Sequence, residues 1–394
     1  MRDEEQALDP LTLVETDKIV ELAKTLIGKP SVSGEEHELV EWLENYFKYI
    51  GMTEVQRLPV EEAGDTLIGW VRGKADGPTV MLNFHVDTFN AFEGWDTEPY
   101  APVLQKRRIY GLGAHDMKGG TACLLSAVDA LVKSGVEFNG NILVSATTDE
   151  ENWSRGAHAL VNSGILKDVD YCIVPEQSKL GTITIGQLGR HVFHLQFYGE
   201  AVHAVFEGSI NAVVDASKVA VAISHMKKSE LGYMREYDKR GSICVTGLSG
   251  GGTDILVPEY ADLWIDRHIL PNQTVEEAAL QIHEIVGKAG IKSNYKVNWD
   301  ERPTPAPTSY ITPEDSVLVK TVSKNLAEVS GMKVGYVIET SVADTNHIAV
   351  HGGVPTVILG PDGGNTCEAN EYVEVASLPV VTKTIIRSVL DLLS

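Results

Sequence analysis

The sequence predicts an α/β protein with a mostly parallel mixed sheet, built from two pieces of chain and interrupted by an inserted α+β domain. Three observations carry this. Four short apolar runs, PTVMLNF (78–84), NILVSATT (141–148), DYCIVP (170–175) and VPTVILG (354–360), read as buried strands, with helical stretches between the first three. A middle region alternates with a period of two, as exposed-face antiparallel strands do. A proline-rich segment, ERPTPAPTSYITPED (301–315), then leads out of that region.

The elements follow in chain order. Residues 18–49 have helical periodicity, broken at GKPSVSGEE (28–36), where Ser33 and Glu36 have the spacing of a capping box for a second helix. GGTACLLSAVDALVKSG (119–135) reads as a helix between the first two apolar strands. In the middle region, HVFHLQFYG (191–199), SICVTGLSG (242–250) and YADLWIDRHIL (260–270) alternate, while 210–226 and 274–290 are helical. A further helix and VPTVILG resume the first pattern after the prolines. The expected domains are therefore 1–187 with 301–394, and an insertion at 188–300.

The chain has 394 residues, 43% of them hydrophobic, and a net charge of −22. So acidic a chain argues against nucleic acid and against anionic membranes as partners. The start, MRDEEQALDP, has no basic stretch followed by an apolar core, and no run reaches the ~18 apolar residues of a membrane span. Four dispersed cysteines without a CxxC pair point to a reducing, cytoplasmic setting.

Chemistry collects after the four apolar runs. His85-Val86-Asp87 follows the first, Asp149-Glu150-Glu151 the second, Glu176 the third, and a loop with Cys367 the fourth. Asp116 precedes the helix at 119–135. In an open parallel sheet ligands bind outside the carboxyl ends of the strands, so these groups converge on one edge. Crowded carboxylates repel one another unless a divalent cation neutralises them. A mixed histidine and carboxylate set suits zinc, manganese or cobalt better than calcium. In His-x-Asp the two side chains share a face, which lets Asp87 orient His85 through its far nitrogen. Of two adjacent glutamates, one can bind metal while the other moves a proton.

These residues, with PSVSGEE (30–36), GWDTEPYAPV (94–103), IYGLGAHDMKGG (109–120), VPEQS (174–178), VHAVFEGSINAV (202–213), VPEYADLWIDRHILPNQTVEE (257–277) and NEYVEV (370–375), resemble the zinc aminoacylase and carboxypeptidase G group of metallohydrolases. That group includes acetylornithine deacetylase and succinyl-diaminopimelate desuccinylase. The resemblance implies a catalytic domain with an inserted lid or dimerisation domain, a homodimer or higher homo-oligomer, and a metal pair about 3.5–4 Å apart. It implies that His85 and Glu176 bind one metal, Asp116 bridges, Glu151 binds the second, Glu150 is the general base and Asp87 orients. It also implies a cis peptide at Asp116–Met117, His203 as a stabiliser of the oxyanion, and Arg267 as the anchor of a substrate carboxylate. Asn211, in the same lid motif, is a further candidate for substrate contact.

The group has a histidine where this chain has Cys367, four residues before Glu371. Three outcomes follow: the thiolate substitutes as a ligand, Glu368 supplies an oxygen, or the second site is weak and one zinc or manganese ion suffices. The weakened second site is the expectation. Leu112, His115, Arg190, His191 and Asp254 also depart from the group's pattern near the substrate side. The main expectation is hydrolysis of the amide of an N-acyl amino acid or dipeptide-like small carboxylate. The alternatives are an aminohydrolase of a nitroanthranilate-type aromatic amine and a metal-free binding protein.

Overall fold

The computed structural model describes residues 7–252 and 254–394. Residues 1–6, which open the expected first domain, lie outside that range. Contacts divide the chain into two units, one of residues 1–186, 311–337 and 343–394, the other of 187–310 and 338–342. The insertion thus extends ten residues past the expected end at 300. The prolines explain the difference: Pro307 accepts the amide of Arg190, and Ser309 donates to Leu270, so the segment packs on the second unit before leaving it.

In the first unit the sheet runs in the order Thr53–Leu58, Thr66–Arg72, Asn141–Thr147, Thr79–His85, Tyr171–Val174, Thr356–Ile358, Thr182–Gln187. Its four central strands are the four apolar runs of the sequence, and each pairs with its neighbour in parallel. Thr66–Arg72 and Thr182–Gln187 flank them antiparallel. The strand Thr79–His85 is buried at every residue, which is why its sequence is continuously apolar rather than alternating. Helices Thr16–Ile27, His37–Tyr49, Gly119–Ser134, Val317–Ser330 and Leu378–Leu392 accompany the sheet.

The break at 28–36 is real, but the capping box is absent. Glu36 itself precedes the helix His37–Tyr49 and makes no cap bond. Its buried carboxylate instead accepts the amides of Gly64 and Asp149, and the Ser33 hydroxyl donates to Asp87 at 2.7 Å. The pair serves the loops at the sheet edge rather than the helix.

The second unit is a four-stranded antiparallel sheet, in the order Ser242–Gly250, Tyr260–Ile269, Gly189–Tyr198, Asn294–Trp299, with helices Ala212–Ser224 and Val275–Lys288. Alternate residues Phe193, Leu195, Phe197, Ala261, Leu263 and Ile265 bury against Ala216, Val219, Ile282 and Val286 of the helices. The period-two pattern of the sequence is this burial. Thr274 and Glu277 form a capping box at the second helix. Among the described residues no helix is long and apolar enough to cross a membrane.

Candidate metal centre

Because the central strands are parallel, their carboxyl ends share one edge. His85 ends its strand, residues 149–151 follow Thr147, Glu176 follows Val174, and the loop 361–371 follows Ile358. Nε2 of His85 lies 3.0 Å from Oδ1 of Asp116 and 3.2 Å from Oε1 of Glu176. Ligand atoms of His85, Asp116 and Glu176 form one cluster, those of Asp116, Glu151 and Cys367 a second, and those of His85, Glu150 and Glu151 a third, each within 4.8 Å. Asp116 belongs to two of them. Its Oδ1 faces His85, and the Cys367 thiol donates to its Oδ2 at 3.3 Å.

Asp87 orients this edge differently from the expectation. The His85 Nδ1 lies 3.0 Å from the backbone oxygen of Asp87 but 3.7 Å from its carboxylate. The carbonyl therefore fixes the ring with its proton on Nδ1, leaving Nε2 to face the carboxylates. The Asp87 carboxylate accepts the backbone amides of Glu150 and Glu151, both at 3.0 Å, and so fixes the turn that presents them.

Asp116 leaves the helical conformation (φ −116°, ψ 91°), and its peptide to Met117 is cis. Buried Glu371 holds this turn by accepting the amides of Gly113, His115 and Asp116, each at 2.8 Å. A small antiparallel sheet joins the same two loops, with Tyr372 opposite Tyr110 and Val373 opposite Ile109. The turn of Asp116 and the loop of Cys367 are thereby one assembly.

Burial pushes the carboxyls of Glu150 and Glu151 well above their usual range, the nearby carboxylates adding to it and His85 partly offsetting it. Glu176 is raised for the same reason. Burial also opposes a charge on His85, but the charge of Glu176 and the close carboxylates of Asp116 and Asp87 outweigh it and hold the imidazole well above its ordinary value. Among the described residues no Lys or Arg makes an ion pair with Glu150, Glu151 or Glu176. One imidazole, several carboxylates and a thiol, converging without a basic side chain, fit a divalent cation of the zinc and manganese class. His85, Asp116 and Glu176 would hold one ion, and Asp116, Glu151 and Cys367 would offer ligand atoms to a second.

One buried acid here went unread in the sequence. Asp344, at the start of the helix Asp344–Val350, is 3% exposed, with only the Thr147 hydroxyl near its carboxylate as a donor among the described residues. Burial raises it to about 7; the neighbouring Thr147 hydroxyl and the charge of His85 counter the rise, and the charges of Asp87 and Glu176 add to it. Its place outside any strand-end motif hid it. Glu368 is exposed and joins none of the clusters.

The remaining candidates belong to the second unit. His203 is exposed, and its Nδ1 accepts the amide of Val205. Asn211 caps the helix Ala212–Ser224, accepting the amide of Val214 at 3.0 Å, so its side-chain oxygen has a structural partner. Arg267 lies on the strand Tyr260–Ile269. Strand alternation turns it to the helix-covered face beside Ile265 and Ile269, where it is 1% exposed. It donates to the carbonyls of Ser242, His268 and Leu231 and to Gln281. Its neighbours Asp266 and His268 take the opposite face, with Arg190 donating to Asp266 at 2.6 Å. Bonded to these carbonyls and to Gln281, the buried guanidinium braces the sheet against the helix Val275–Lys288.

Comparison with known proteins agrees with this geometry. The chain is 25% identical over 381 residues to a succinyl-diaminopimelate desuccinylase of Nitrosospira multiformis, covering 91% of this chain and 93% of that one. It is 25% identical over 411 residues to the N-formyl-4-amino-5-aminomethyl-2-methylpyrimidine deformylase of Bacillus subtilis, covering 95% and 94%. The crystal structure of a tripeptidase from Staphylococcus aureus superposes with a TM-score of 0.81 at 20% identity, covering 96% of this chain and 99% of that one, which shows a shared fold. The profile of peptidase family M20/M25/M40 matches residues 81–391, and the chain belongs to that family of metal-dependent hydrolases of amide C–N bonds.

Proposed function

We propose that this enzyme hydrolyses the amide of an N-acyl amino acid or a dipeptide-like small carboxylate, with Glu150 as general base. The observation that carries the reading is the convergence of His85, Asp116 and Glu176 at one sheet edge, with Glu150 in the adjoining cluster. A divalent ion held there supplies a Lewis acid for the carbonyl and for water. Glu150 accepts a proton from the attacking water as the C–O bond forms, and returns it to the nitrogen as the C–N bond breaks. Burial suits this task, because a carboxyl raised above its usual range is a stronger base toward the attacking water. The Asp87 carbonyl holds His85 with Nε2 facing Asp116 and Glu176, where it would ligate the ion, and the Asp87 carboxylate keeps Glu150 and Glu151 in place. His203 is the candidate for steadying the oxyanion, on the strength of its motif in the sequence.

The desuccinylase and the deformylase both act on amides, as their names state, which favours amide over aromatic amine hydrolysis. A metal-free binding role does not agree with a chain of this family that keeps His85, Asp116, Glu150, Glu151 and Glu176 together. The enzyme is proposed to work in the cytoplasm, in keeping with four free cysteines, and as a homodimer through the second unit. There the helix Ala212–Ser224 exposes Val214 and Val221, and Ser242–Gly250 is an edge strand.

The test is a panel of N-acyl amino acids, dipeptides and substituted anthranilates assayed with zinc or manganese. Release of an amino acid by the wild type, with kcat reduced by about 10²–10⁴ in Glu150→Gln at unchanged metal content, is expected. Ammonia release from an anthranilate with inert amides would replace this reading by the alternative.

A further inference from the structure

Cys367 sits on a loop held fast against the turn of Asp116. The His115 ring bonds Thr366 Oγ1 at 2.7 Å through Nδ1 and the Pro361 carbonyl at 3.2 Å through Nε2. Gly363 lies flat against the same ring, since a Cβ there would come within 2.5 Å of it. Asn365 donates to the carbonyls of Ala369 and Asn370 across the loop. Cys367 itself has a left-handed φ of 56°. This framework brings Sγ to Asp116 Oδ2 and into one cluster with Glu151, while the other oxygen of Asp116 faces His85.

We propose that the second metal position is a thiolate centre formed by Cys367, Asp116 and Glu151, and that it selects thiophilic divalent ions. The proposal rests on the metal-hydrolase reading above and replaces the expectation of a weakened second site. The geometric reason is that Asp116 divides its oxygens between the two clusters, as a bridging carboxylate does. The chemical reason is that sulfur favours zinc, cobalt and cadmium over manganese and magnesium, which prefer oxygen. As the sulfur–metal bond forms, the thiol proton now donated to Asp116 leaves to solvent. The first position, with an imidazole and carboxylates, has no such preference, so the two positions differ in the metals they accept.

The experiment is a cobalt titration of the metal-stripped full chain carrying Cys244→Ser, because Cys244 is exposed and could bind cobalt on its own. Two equivalents are expected, with a sulfur-to-cobalt charge-transfer band in the near ultraviolet that grows with one of them. Adding Cys367→Ser abolishes the band and weakens that equivalent by at least about tenfold, leaving the other in place. Cys367→His restores two equivalents without the band, which separates loss of a ligand from loss of fold. Manganese binds to one equivalent in the wild type and to two in Cys367→His. Binding without the band, or a band that survives Cys367→Ser, overturns the thiolate centre while the hydrolase reading stands. Failure of cobalt to bind at either position overturns both.

Discussion

Asp87 accepts the backbone amide of Glu150 at 3.0 Å, so a residue two positions beyond the histidine of one strand sets the turn after the next. The same carboxylate takes the amide of Glu151 and the hydroxyl of Ser33. Asp87→Ala leaves three donors without an acceptor in a buried place. The expected outcome is a loss of about 10–100-fold in metal affinity and activity together, with the fold retained. Isothermal titration with zinc beside steady-state kinetics checks it. Unchanged affinity would show that the turn does not need this carboxylate.

Glu176 is placed by two glycines. A Cβ at Gly120 would overlap the Pro175 carbonyl, and one at Gly360 would overlap the carbonyl of Glu176. The Pro175–Glu176 segment is therefore pinched between the helix Gly119–Ser134 and the chain leaving the strand Thr356–Ile358. Gly120→Ala or Gly360→Ala is expected to destabilise the first unit by about 1–3 kcal/mol and to lower metal affinity, because the backbone must shift at a ligand. Thermal melts with and without zinc measure both effects.

Arg267→Met separates the brace from the substrate anchor. Removing the guanidinium takes a donor from the carbonyl of exposed Ser242 and from that of buried Leu231. The expected cost is about 1–3 kcal/mol of stability in the second unit, with KM changed little in the fraction that stays folded. A large rise in KM at unchanged stability would return Arg267 to the substrate.

Acid should weaken the second unit through Asp215. Burial works against its charge, but Lys218 at 2.8 Å, the amides of Lys292 and Ser293 and the Ser293 hydroxyl lower it from 3.8 to about 2. A carboxyl depressed in the folded state stabilises above its unfolded pKa, and this is lost as pH falls through the folded value. The gain is about 2 kcal/mol above pH 4, fading toward pH 2. Denaturation of the wild type and Asp215→Asn across that range should show their difference shrinking as pH falls.

The sheet and its site were legible for a common reason. Strands buried on both faces must be continuously apolar, and in a parallel sheet whatever follows them meets at one edge, so His85, Glu150, Glu151 and Glu176 could be grouped before any coordinates. What the sequence hid depended on contacts without a period. Thr66–Arg72 and Thr182–Gln187 flank the parallel core without a motif to mark them. Asp344 comes from a short helix rather than a strand end. Ser33 and Glu36 looked like a local cap because spacing cannot tell a bond within three residues from bonds to residues 64, 87 and 149. Strand alternation places Arg267 on the core face and His268 on the other, which the motif alone does not tell.

The central claim is that a divalent ion gathers His85, Asp116 and Glu176 at the sheet edge. Anomalous diffraction at the zinc edge from crystals grown with zinc tests it most directly. An anomalous peak within coordination distance of His85 Nε2, Asp116 and Glu176 is the predicted result. Ordered crystals with these three side chains in place and no peak between them, or a peak only elsewhere on the chain, would contradict it.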